Sequence, residues 1–214
     1  MHAKIFETEE RAPESVPLSR AELLRLLVAP HRVVDVVLAG RRRLAASLAL
    51  ERDLAPLTAL LLLTSVAAAL PFGALLDGEG CWRVGLLLVG SLLVCFPSLH
   101  VFGALLGSRL CAAQSLALSL VLTCVAALFT LAFAPILWFL QATMRAGPSA
   151  VTPRQIGVLL LGAALLAGVF HLFRVLRADA ALRRLAASSL VLLMLWLQLF
   201  LFVTYRMALF LGLL

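Results

Sequence analysis

Five stretches of this chain carry no Asp, Glu, Lys or Arg, and together they fill most of it beyond residue 53. They cover residues 54–76, 84–108, 110–144, 155–173 and 185–205. Crossing the hydrocarbon core of a bilayer takes about 20 apolar residues at roughly 1.5 Å of rise each. A helix of a soluble protein needs a polar face, so five such runs in series do not suit one. They predict an all-α, polytopic membrane protein whose residues 54–214 form five transmembrane helices. Hydrophobic residues make up 63% of the 214 and charged residues only 14%, against about 25% charged in soluble domains. The spans leave too little chain for a second core.

The formal charge of +7 is distributed by topology. Lys4, Arg11, Arg20, Arg25, Arg32, Arg41, Arg42, Arg43 and Arg52 precede the first span, Arg109 lies between spans 2 and 3, and Arg174, Arg177, Arg183 and Arg184 lie between spans 4 and 5. The opposite side holds Arg83, Arg145, Arg154 and Arg206. Fourteen against four predicts a cytoplasmic N-terminus and an outside C-terminus, in a plasma membrane of bacterial inner-membrane type. Trp82, Trp138 and Tyr205 then fall near the outer interface, where amphipathic rings are favoured. Arginines at span ends suit anionic inner-leaflet lipid and do not form a nucleic-acid footprint. Residues 1–18 lack the charged-then-apolar order of a secretory leader, so the first span is expected to act as its own insertion signal. The four cysteines fall at different depths and read as small apolar residues, not as a disulfide framework.

Residues 1–18 read as a flexible tail, and residues 19–53 as a cytoplasmic amphipathic segment. Ser19-Arg20-Ala21-Glu22 has capping-box spacing, and Pro30 ends the short helix that follows. A second helix is predicted from about His31 to Asp53, with Val33, Val37, Leu44 and Leu48 on one side. That stripe either lies in the inner leaflet, with Arg41, Arg42 and Arg43 binding lipid phosphates, or packs on the spans or a partner.

Within the membrane, small residues one turn apart let backbones approach. Gly103 and Gly107 in span 2 and Gly162 in span 4 are the candidate packing positions, which predicts spans 2 and 4 as interior helices. Span 3 is 35 residues without charge, about 50 Å as a straight helix against a core of about 30 Å. It must tilt, protrude or break, and Pro135 marks the place for a break. Pro71 and Pro97 add kinks in spans 1 and 2.

Polar residues inside spans are functional candidates, which singles out Ser98, His100 and His171. A purely structural role, bonding to a backbone carbonyl or a neighbouring serine, is the alternative for each histidine. Neither histidine has a carboxylate or cysteine at ligand spacing, so no metal or other cofactor is expected. The string Pro97-Ser98-Leu99-His100 resembles the central motif of the type 2 phosphatidic acid phosphatase superfamily. That chemistry also needs a phosphate-binding lysine and a nucleophilic histidine, but the only lysine is Lys4 and Ser115 occupies the nucleophile's place.

The segment Leu26-Leu27-Val28-Ala29-Pro30, the five spans, the stretch Phe102-Gly103-Ala104-Leu105-Leu106-Gly107 and the later Ala134-Pro135-Ile136 together resemble the prokaryotic branch of the Yip family of five-span proteins. The resemblance covers roughly residues 19–180 and implies a non-enzymatic protein that acts through partners. The expected function is therefore an interaction or structural subunit of a membrane assembly, with other membrane proteins or further copies of itself as partners. A channel or transporter component using the kinked spans 1–3, with Ser98, His100, Gln141 and His171 along a path, is the alternative. A lipid-phosphate phosphatase-like enzyme using His100 is more remote.

Overall fold

The computed structural model describes residues 18–28, 30–49, 54–105, 110–144, 152–178 and 190–213. Those residues form helices α1 (Arg20–Val28), α2 (Pro30–Leu38), α3 (Arg41–Ala49), α4 (Leu54–Asp77), α5 (Trp82–Leu105), α6 (Ala112–Thr143), α7 (Pro153–Ala178) and α8 (Leu190–Phe210). No strand occurs among the described residues. Four helices, α4 to α7, are long and apolar enough to cross a membrane, and the chain is by that measure an integral membrane protein. The fifth apolar stretch is α8, whose apolar part described at side-chain level is Leu197–Phe210.

The longest helix is the centre of the bundle. The apolar window of α6 is 72% buried, against 44%, 39% and 44% for α4, α5 and α7. It lies between α4 and α7, while α5 rests on α4 and α6, and α8 packs on α5. The expectation that spans 2 and 4 are interior is corrected by this arrangement. Its cause is the composition of α6, where Ala117, Ser119, Thr123, Cys124, Ala126 and Ala127 are all buried. Short side chains do the work of glycine here, letting neighbouring backbones approach from two sides. Gly168 of α7 allows a close crossing with α6, since a Cβ there would lie 2.6 Å from the Leu122 carbonyl oxygen.

Span 3 does not break. It runs as one helix of 32 residues through Pro135, about 48 Å long, so its length exceeds the bilayer core. Pro71, Pro97 and Pro135 all lie inside helices and are all exposed, so each ring faces away from the bundle. A tight link joins α4 to α5 through the 3-10 turn Gly78–Gly80. A side chain on Gly73 would run into the Cys81 carbonyl oxygen, and Gly78 has a φ of +23° that favours glycine.

Before the spans, α1 to α3 form a cap on the bundle. Ser19 opens α1 as its spacing predicts, its Oγ accepting from the Glu22 N–H at 3.3 Å. Pro30 is the first residue of α2, where its missing N–H costs nothing. The single helix expected over 31–53 is instead two helices. The Ala39 and Gly40 N–H groups both donate to the Asp35 carbonyl, at 2.8 and 3.0 Å, which closes α2 before Leu44 N–H opens the next turn on Gly40. Gly40 is required there, because a Cβ would sit 2.7 Å from the Val36 oxygen. The apolar stripe survives the break: Val33, Val37, Leu44 and Leu48 are all buried in the same core as the spans, with Leu18, Leu23 and Leu26. The cap rests on α4 through α1, on α6 through α2 and α3, and on α7 through α3.

Candidate functional site

Five buried hydroxyls of the apolar helices close onto their own helices. Ser65 donates to the Leu61 carbonyl at 2.6 Å, Ser119 to Ser115 at 2.8 Å, Thr123 to Leu120 at 3.1 Å, Thr130 to Ala127 at 2.7 Å and Thr204 to Phe200 at 2.7 Å. Such back-bonding satisfies the hydroxyl without a second helix. Ser98 behaves in the same way, donating to the Cys95 carbonyl at 2.7 Å. His100 is half-buried and stacks on Phe96 of its own helix, with centroids 6.4 Å apart. Gln141 lies at the other end of the bundle, its Nε2 donating to the Leu75 carbonyl between α6 and α4. Ser98 and His100 thus share one end of α5, and Gln141 lies at the opposite end of the bundle.

Among the packing candidates, Gly162 has open space where a Cβ would stand. Gly103 lies in α5, and Gly107 falls outside the described residues. Close approaches fall instead at two other small residues of spans 2 and 4. Gly157 would place a Cβ 2.5 Å from Leu76 Cδ1, and Gly90 would place one 2.9 Å from Met207 Cε, beside the Ser91 hydroxyl that faces Met207 Sδ at 3.6 Å.

The polar groups that do converge lie where the cap meets the bundle. Cys111 caps α6, its Sγ accepting from the Gln114 N–H at 3.4 Å while Gln114 Oε1 accepts from the Cys111 N–H at 2.9 Å. The remaining Gln114 amide group donates from Nε2 to the Leu48 carbonyl at 2.9 Å, a buried bond that ties the last turn of α3 to the first turn of α6. Ser47 adds a second tie. It accepts from the Leu18 N–H at 2.8 Å and donates to the Arg43 carbonyl at 2.9 Å. Cys111-x-x-Gln114 carries capping-box spacing in the sequence, with cysteine in the place of serine, and is the signal that would have found this junction.

His171 is the third member. It is 9% exposed, and the Val37 backbone of α2 lies near its ring. Its Nε2 is the one buried side-chain nitrogen or oxygen among the described residues that has no partner. Among the described residues, Arg41 of α3 and Arg174 of α7 lie near the ring, and both are positive. Arg174 itself is exposed and lies over the Phe170 ring, 4.7 Å from its centroid.

The three arginines expected to bind lipid are not equivalent. Arg43 donates from its guanidinium to Glu22 Oε2 at 2.9 Å, pairing α3 with α1. Arg42 is exposed and Arg41 half-buried near His171. Among the described residues, no three His, Cys, Asp or Glu side chains gather to hold a metal ion. Scans against family models, curated proteins and solved structures find no match to this chain.

Proposed function

We propose that this protein is a non-enzymatic subunit of a membrane assembly whose cap is its contact surface. The observation that carries this reading is the orientation of the cap. Its apolar stripe is consumed by the bundle, and its outward side presents exposed Arg25, Arg32 and Arg42. A cationic face held at the ends of membrane-crossing helices fits the phosphates of an anionic inner leaflet or an acidic partner. The internal satisfaction of the span hydroxyls and the outward prolines weigh against a solute path. In this reading α8 is a fifth span, the cap is cytoplasmic, and the C-terminus lies outside a bacterial-type inner membrane, as the arginine asymmetry predicts. The resemblance to prokaryotic Yip-like proteins, carried by Phe102–Gly107 and Ala134-Pro135-Ile136, supports the same non-enzymatic class. Partners are further membrane proteins or a second copy of this chain.

Purification in mild detergent, followed by mass spectrometry of retained lipids and proteins, tests the proposal. Arg32→Glu with Arg42→Glu reverses two outward charges and leaves the Arg43–Glu22 pair intact. Each arginine near an anionic surface contributes about 1 kcal/mol, so retention should fall more than tenfold. An unchanged complement of lipids and proteins would remove the contact surface. Lipid-phosphate hydrolysis by the purified protein that vanishes in His100→Asn would replace this reading with an enzymatic one.

A further inference from the structure

Contacts between the spans fix how far each reaches along the bundle. Gln114 meets Leu48 at one end of α6 and Gln141 meets Leu75 of α4 at the other, and both pairs are 66 residues apart in sequence. The same offset sets Leu54, the first residue of α4, level with Leu120 of α6. Helix α7 runs the opposite way, with Gly157 facing Leu137 and Gly168 facing Leu122 and Ala126, so Phe170–Arg174 reaches the level of Leu120. Charge stops at Asp53 before α4, and on α7 the uncharged run ends at Phe173. Two charge edges on separate helices thus fall at one level, and that level is the bilayer boundary on the cap side. The first turns of α6 rise roughly 12 Å past it, which is where the excess length of that helix goes.

At this boundary α7 turns one continuous face outward. Leu159, Leu166 and Phe170 are 71%, 62% and 62% exposed, and the exposed Arg174 and Arg177 extend the same face by helical spacing. An arginine at a span end ordinarily stretches its guanidinium out to water. Arg174 does the reverse. Its Cζ lies 4.7 Å from the centroid of the Phe170 ring, one turn toward the bilayer centre. The cause is helix direction: side chains lean toward the N-terminus of their helix, and on α7 that is the bilayer side. The ring face attracts the cation but leaves its planar fork of N–H donors open to an acceptor. A phosphodiester supplies paired oxygens that match such a fork. Arg177 stands one turn nearer the cap and reaches the same phosphate from the water side.

We propose that Arg174 and Arg177, with the Phe170, Leu166 and Leu159 face beneath them, bind one anionic phospholipid. The phosphate sits between the two guanidiniums, and the acyl chains run along the apolar face toward the bilayer centre. A zwitterionic lipid offers the same phosphate but brings an ammonium group that the arginines repel, so the site selects a headgroup with net negative charge. It lies on α7, apart from the outward Arg25 and Arg32 of the cap, and does not depend on that surface having a partner.

The test counts bound lipid. The full chain in mild detergent is titrated with phosphatidylglycerol or phosphatidylcholine and read by native mass spectrometry. The parent protein should bind one phosphatidylglycerol about tenfold or more tightly than phosphatidylcholine. Arg174→Gln with Arg177→Gln, both at exposed positions, should abolish that preference. Arg32→Glu on the cap should keep it, which separates this site from the cap surface. Inorganic phosphate should not compete, because the acyl chains share in the binding. A phosphatidylglycerol with a diazirine in its acyl chain should crosslink to α7 between Leu159 and Phe170 of the parent protein, a readout that stands if the glutamine variant fails to fold. Equal binding of the two lipids by the parent protein would overturn the proposal, as would a preference that survives the double substitution. Crosslinks confined to other helices, or displacement by inorganic phosphate, would overturn it equally.

Discussion

Replacing Gly168 with alanine adds one methyl group where the backbones of α6 and α7 lie close together. Its Cβ would stand 2.6 Å from the Leu122 carbonyl oxygen and 3.4 Å from both the nitrogen and the Cβ of Ala126. Carbon and carbonyl oxygen settle at about 3.3–3.6 Å, so the methyl group lies roughly 0.7 Å or more inside contact. The obstacle is backbone within a helix, which cannot rotate away like a side chain. The helices must part, and a gap of about 0.5–1 Å forfeits a quarter to a half of the dispersion energy at each affected atom pair. Overpacking of this kind costs about 1–3 kcal/mol, against about 1 kcal/mol returned by alanine's better helix propensity. Gly162→Ala on the same helix gains the propensity and meets nothing within 4 Å. Unfolding in mixed micelles of mild detergent and dodecyl sulfate, followed by circular dichroism, should place Gly168→Ala below the parent protein and Gly162→Ala at or slightly above it. The gap between the two variants should be about 1–3 kcal/mol, since propensity cancels between them. Equal midpoints for both variants would refute the close crossing of α6 and α7.

Three further outcomes are expected. Gln114→Ala removes the side-chain half of the α6 capping box and strands the Leu48 carbonyl, so α1 to α3 should become cleavable by added protease at a cost of about 1–3 kcal/mol. Gly73→Val should abolish folded yield, because the added carbon atoms meet the Cys81 backbone in the α4–α5 link; normal yield would show that the link opens freely. In intact cells an impermeant thiol reagent should reach Cys81 and not Cys111, and labelling of Cys111 alone would invert the proposed orientation.

The membrane-crossing helices were legible because a missing charge is a strong signal over 20 residues, and each of α4 to α7 coincides with one uncharged run. The cap's buried stripe was legible for a different reason. Spacings of four and seven residues hold across Val33, Val37, Leu44 and Leu48 even though the backbone is interrupted at Gly40. The same spacing hid the break, since periodicity alone is blind to one poor helix residue. Small residues in spans 2 and 4 point to those helices as interior, yet the alanines and serines of span 3 carry the same signal. Backbone approach depends on the summed bulk of both faces, and α6 supplies it with buried Ala117, Ala126 and Ala127. His171 stood out as a polar residue in an apolar run, but its nearness to Val37 did not. Residues 134 positions apart meet only once α2 and α7 are packed, and no local pattern encodes that pairing.

The link at Gly78–Cys81 also bears on the order of assembly during synthesis. Helices α4 and α5 are neighbours in sequence and in space, so their pairing closes a short loop and can form as soon as both have emerged. The junction between Leu48 and Gln114 spans two complete membrane helices and has to wait until α6 arrives. During that interval α1 to α3 carry an apolar stripe with nothing to bury it. The leaflet surface is the one apolar medium within reach, and the nascent cap would rest there before it climbs onto the finished bundle.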